Sequence, residues 1–133
     1  MIGLDTSVLV RYIVRDEAKQ SAAATRLIES RCTADNPGLV SSIVLCELAR
    51  VLTRGYGYGR GMVGRVIRRI LSVQELQAEK PELAWQAVRL FEQGKADFAD
   101  YLLGLSNREN KAEVTYTFDA KVAESDLYQL VPI

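Results

Sequence analysis

Five acidic side chains stand where they could act together on a phosphodiester: Asp5, Glu47, Asp97, Asp100 and Asp119. Asp5 and Asp119 each follow a run that reads as a strand, Ile2-Gly3-Leu4 in one case and Glu113 to Phe118 in the other. Ligands of an open parallel sheet bind outside the carboxyl ends of its strands, so these two distant acids are expected to meet there. Glu47 falls in the first turns of a helix after the second strand, and Asp97 and Asp100 open a helix after Gly94. Four chain segments then converge on one acidic site. Two carboxylates about 4 Å apart repel by roughly 4 kcal/mol at an effective dielectric near 20, so such a cluster requires a cation or protons. Oxygen-only donors suit hard ions, and Mg²⁺ takes one or two carboxylates, keeps several waters and bridges to phosphate. The chemistry open to this set is metal-assisted hydrolysis, with a bound water made acidic and the leaving oxygen stabilised. The chain contains no histidine, which removes the commonest general base, the usual zinc ligand and every Ser-His or Cys-His arrangement.

Each acid taken singly has a plainer reading. Asp5 is a good N-cap, Asp97 and Asp100 are spaced as a capping-box-like first turn, Glu47 can pair with Arg50 at i+3, and Asp119 can end a strand in a turn. It is their joint placement at strand ends that favours the site.

The elements that must position these acids alternate. After the first strand, Asp5-Thr6-Ser7 supplies capping groups for an apolar helix through Val14, and an alanine-rich helix is expected from Glu17 to Arg31. Asp35-Asn36-Pro37-Gly38 is a turn, Leu39 to Ser41 a strand, and Val44 to Leu52 a helix. Gly55-Tyr56-Gly57-Tyr58-Gly59 reads as a loop between helices, because each glycine weakens a helix by about 1 kcal/mol. Met62, Val63, Val66, Ile67, Ile70 and Leu71 then recur at helical spacing, with arginines on or beside the other face. A weak strand at Leu76 to Ala78, a helix from Pro81 to Gln93, a helix from near Asp97, a short helical piece after Asp119 and a last strand at Tyr128 to Val131 complete the pattern. Strands alternating with helices imply an α/β fold: a parallel sheet flanked by helices on both faces, three layers deep.

Composition agrees with that class. The 133 residues suffice for a single domain, 1–133, and 48% hydrophobic with 26% charged residues is an ordinary globular balance. No stretch reads as a membrane span or a cleavable leader, so a cytoplasmic protein with no membrane contact is expected. Cys32 and Cys46 lack metal-ligand spacing and read as idle thiols.

Four segments carry a resemblance: Ile2-Gly3-Leu4-Asp5-Thr6-Ser7-Val8-Leu9, Ser41 to Leu48, Ala96 to Leu103, and Thr115-Tyr116-Thr117-Phe118-Asp119. In this order they resemble the motifs of PIN-domain nucleases, and most of all the VapC-type toxins of toxin–antitoxin systems. The resemblance implies a ribonuclease dependent on Mg²⁺ or Mn²⁺ that cuts RNA, forms a homodimer and is held in check by a cognate VapB-type antitoxin. It makes Asp5, Glu47 and Asp100 the core catalytic and metal-binding acids, with Asp119 completing the site and Asp97 a further ligand. It also places the hydroxyls of Ser7 and Thr117 near the metal, behind its direct ligands.

Net charge is zero, yet Leu48 to Gln74 holds six arginines and no acid. Arg54, Arg60, Arg65, Arg68 and Arg69, with Tyr56 and Tyr58, are candidates for contact with RNA or with a protein partner. A solvated helix face accounts for the same pattern equally well. A non-catalytic RNA- or protein-binding module on the same fold is the alternative function, since fold alone does not fix activity. A phosphatase using an aspartate nucleophile would want an acid at position 7, where Ser7 stands.

Overall fold

The computed structural model describes residues 1–133. The chain forms β1 (Ile2–Gly3), α1 (Thr6–Val14), α2 (Ala18–Arg31), β2 (Gly38–Val40), α3 (Ser42–Tyr56) and α4 (Arg60–Ser72). It continues through β3 (Leu76–Ala78), α5 (Pro81–Gln93), α6 (Phe98–Glu109), β4 (Thr115–Thr117), a 3₁₀ turn at Val122–Glu124 and β5 (Tyr128–Leu130). Strands and helices alternate as the hydrophobic periodicity predicts, and every strand pairing is parallel. This is an α/β fold.

The strands do not form one continuous ladder. β1, β2 and β3 pair in that order, while β4 and β5 pair separately. β1 supplies just two residues, because the chain leaves it almost at once for α1. Leu4 still donates its N–H to the Leu39 carbonyl at 3.0 Å, and the next residue, Asp5, already caps α1. A single core of 29 buried residues runs from Leu4 to Tyr128, so the two strand groups share one interior. Leu9, Leu45, Leu48, Leu52, Ile67 and Phe98 are its largest fully enclosed side chains.

The glycine-tyrosine segment is more helical than its composition predicts. α3 continues through Gly55 and Tyr56, and the break narrows to Gly57, Tyr58 and Gly59. Gly57 takes φ +69°, the left-handed C-cap conformation that suits glycine, and its N–H reaches back to the Leu52 carbonyl. Tyr56 is retained in the helix because its hydroxyl is anchored: it donates to Asp16 at 2.7 Å and accepts from Arg11 at 3.2 Å.

Candidate functional site

Two sets of acids are built at the ends of these elements. On the first, Asp5 is the N-cap of α1 and accepts the Thr6 N–H at 2.8 Å, with the Ser7 hydroxyl 3.4 Å from its other oxygen. Thr6 is buried and turns its hydroxyl to Glu47, donating at 3.0 Å to Oε1. Glu47 thus faces the start of α1, and α3 itself begins at the Ser41 cap one residue beyond β2.

The second set surrounds Asp100. Its Oδ2 accepts the Asp97 N–H at 3.1 Å, and the Asp100 N–H returns to the Asp97 carbonyl at 3.0 Å, closing the first turn of α6. Asp119, just past β4, accepts the Lys121 N–H at 2.9 Å, and its own N–H donates to Thr117 Oγ1 at 3.0 Å. Burial holds the Asp100 carboxyl above its ordinary value, and the neighbouring charges of Asp97 and Asp119 push the same way. The Asp97 N–H bond and the Arg50 guanidinium oppose this without cancelling it.

Helix α3 joins the two sets. Cys46, immediately before Glu47, lies near both Asp100 and Arg50, and burial raises its thiol to about 11. The cysteine is therefore protonated and inert at neutral pH, in keeping with an idle thiol. Tyr128 donates its hydroxyl to the Asp100 carbonyl at 2.6 Å, and burial together with the Asp100 charge raises the phenol to about 12. No three acidic or cysteine side chains converge at ligation distance; Asp5, Asp100 and Asp119 each hold a backbone N–H instead. The plain capping readings of these acids are correct as geometry, and the same capping fixes where their free oxygens stand. The donors are all oxygen, and the repulsion at Asp100 is what a hard cation relieves, so the set fits a divalent ion that keeps much of its water shell.

The basic stretch divides. Arg54 is exposed and lies 3.9 Å from Asp97, beside the acids. Arg60 donates to the carbonyls of Phe91 and Ala96 and stacks on the Phe91 ring, and Arg68 bonds both carboxylate oxygens of Glu92. Tyr58 packs edge-on against Tyr56. Arg65 and Arg69 are exposed and line a groove of about 670 Å³ between α1, α2 and α4, floored by Leu9, Ile28, Ile70 and Leu76. None of the five acids lines that groove.

Thr6 and Tyr128 also bond Glu47 and Asp100, and Arg50 lies near Asp100, though little in their spacing announces it. Arg50 carries a readable signal, since Glu47, Arg50 and Arg54 fall on one face of α3 at i, i+3 and i+7. Tyr128 carries none, because 28 residues separate it from Asp100.

Parallel strands with helices between them and carboxylates beyond the strand ends define an α/β protein. The chain belongs to the PIN domain family, whose model matches residues 2–126, and PIN domains are generally divalent-metal-dependent nucleases. No curated protein matches the chain. No helix is long and apolar enough to cross a membrane.

Proposed function

We propose that this chain is a metal-dependent endoribonuclease and the toxin of a toxin–antitoxin pair, working in the cytoplasm. The observation that carries the reading is the crowding of Asp100 by Asp97 and Asp119 at the mouth of α6, in a chain of the PIN domain family. Asp5, Glu47, Asp100 and Asp119, with Asp97 beside them, would hold Mg²⁺ or Mn²⁺. When bound, the ion supplies Lewis acidity and a water acidic enough to attack phosphorus at neutral pH. The chain's own groups orient the substrate around it. Thr6 fixes the Glu47 carboxylate, Ser7 and Thr117 brace Asp5 and the Asp119 turn, and Arg50 and Arg54 offer positive charge to the incoming RNA phosphates.

The partner reading rests on the 670 Å³ groove, whose apolar lining is set apart from the acids and suits an amphipathic helix of an antitoxin. A VapB-type antitoxin seated there would have a second segment free to cover the acids, and the homodimer belongs to the same toxin reading.

The test is to incubate the antitoxin-free chain with total RNA under Mg²⁺, Mn²⁺ or chelator, mapping new 5′ ends beside an Asp5→Asn control. Discrete ends that need metal and vanish in the variant are expected. Their absence from a folded, partner-free chain would replace the enzyme with a non-catalytic RNA- or protein-binding module.

A further inference from the structure

The connection between α5 and α6 decides where Asp97 and Asp100 stand, and it is clamped from two sides. Helix α5 ends with carbonyls that have no partner inside the helix. Gly94 N–H donates to the Leu90 carbonyl at 2.9 Å, and Arg60, the first residue of α4, takes the next one, donating from Nη2 to Phe91 O at 2.5 Å. The same Nη2 donates to Ala96 O at 2.8 Å, and Nη1 reaches Lys95 O at 3.4 Å. The guanidinium lies 4.1 Å from the centre of the Phe91 ring. One planar cation therefore ties the end of α5 to the residue immediately before Asp97, where the negative end of the helix dipole also favours it.

On the other side, Ala96 N–H donates to the Tyr101 hydroxyl at 3.3 Å. Gly94 makes room for that hydroxyl, since a Cβ at position 94 would collide with it. Ala96 is thus held by its carbonyl from α4 and by its N–H from α6. The next residue, Asp97, starts the turn that places Asp100.

We infer that Arg60 is a positioning residue for the acidic site: by bridging Phe91 O and Ala96 O it sets the entry of α6 and hence the placement of Asp97 and Asp100. This inference rests on the metal reading of those two acids. Lysine in its place keeps the charge but lacks the flat, forked donor set that spans two carbonyls while stacking on a ring.

The experiment compares the parent chain with Arg60→Lys and with Lys80→Gln. The latter breaks the 3.0 Å bond from Lys80 to Glu109, between the start of α5 and the end of α6, far from the clamp. Mn²⁺ binding is titrated by the loss of the free-ion electron paramagnetic resonance signal, and amide exchange is followed at Asp97 and Asp100. The expected result is a folded Arg60→Lys variant whose two amides exchange faster and whose Mn²⁺ affinity falls roughly tenfold, the scale of removing an outer support of a metal ligand. Lys80→Gln should match the parent in both. Parent-like Mn²⁺ affinity in Arg60→Lys overturns the inference and leaves the metal reading intact. A parent that binds no Mn²⁺ overturns both. If Arg60→Lys does not fold, Phe91→Leu decides, because it removes the ring on which the Arg60 guanidinium rests and so loosens the same clamp. Weakened Mn²⁺ binding there supports the clamp, and unchanged binding refutes it.

Discussion

The acidic edge and helix α4 are both dense in like charge, and they resolve it in opposite ways. On α4, Arg60 is engaged by backbone carbonyls and an aromatic face, and Arg68 by Glu92. At the acidic edge no basic side chain makes a close pair with Asp100, Asp119, Glu47 or Asp5, and Asp100 is left with a raised carboxyl between two other acids. A charge run in sequence marks a site only where folding leaves it unpartnered. Folding turns Arg60 and Arg68 into packing and leaves Asp100 feeling the charges of Asp97 and Asp119.

The sharpest way to break this comparison is Asp100→Asn. The change is nearly isosteric and removes one of the mutually repelling charges, so thermal stability without metal should hold or rise. Cleavage should fall by more than the roughly 10- to 100-fold typical of removing an outer support of a metal ligand. Melting curves and metal-dependent cleavage measured together decide it. A variant that melts lower yet cuts as well as the parent would make Asp100 a structural residue like Arg68.

Much of this architecture is legible in the sequence. Pro81 to Gln93 and Leu76 to Ala78 are predictable at their observed bounds, because a first-turn proline and the apolar-polar-apolar alternation of Leu76-Gln77-Ala78 are local signals. Asp5 and Asp119 stand where capping chemistry and strand ends coincide, and Asp97 is spaced with Asp100 as a capping box, again local information. The fate of Arg60 is not legible, since its partners lie 31 and 36 residues away and are backbone carbonyls, which carry no residue identity. The persistence of α3 through Gly55 escapes a local reading for the same reason: Tyr56 is fastened by Arg11 and Asp16, 45 and 40 residues away along the chain.

A second test uses pH. The raised Asp100 carboxyl means the folded protein holds that proton more tightly than the unfolded chain, so this group favours folding in acid and loses that advantage as pH rises through its folded value. Metal has to displace the proton. Mn²⁺ affinity of the parent should therefore climb with pH, by up to roughly tenfold per unit while Asp100 is still protonated, and then level off. In Asp100→Asn this segment of the slope should disappear. An identical slope in both proteins would assign the titration to another acid.

Smaller effects separate the arginines. Replacing Arg50 and Arg54 by alanine should raise KM several-fold and flatten the salt dependence of RNA binding, at about 0.7 in log–log slope for each single-strand phosphate no longer neutralised. Replacing Arg65 and Arg69, which line the apolar groove away from the acids, should leave that slope unchanged. The reverse result would move the RNA track onto α4 and undo the division between the two regions.

The smallest effect belongs to the best-partnered charge. Arg68 donates to both oxygens of Glu92, at 2.8 and 2.6 Å, and lies 5.6 Å from the centre of the Trp85 ring. Those bonds hold the Glu92 carboxyl below its ordinary value, so the ion pair contributes stability above the unfolded-state titration and loses it as pH falls through the lowered folded value. Both side chains are partly exposed and screened, so Arg68→Ala should lower Tm at neutral pH by no more than a few degrees. The difference from the parent should shrink in acid, once Glu92 is protonated in both. Some of it should persist, because the arginine stem and its face over Trp85 are absent at every pH. RNA cleavage should not change. A large loss of cleavage with this small change in Tm would show that Arg68 reaches substrate, and that partnership with Glu92 is not a bar to function.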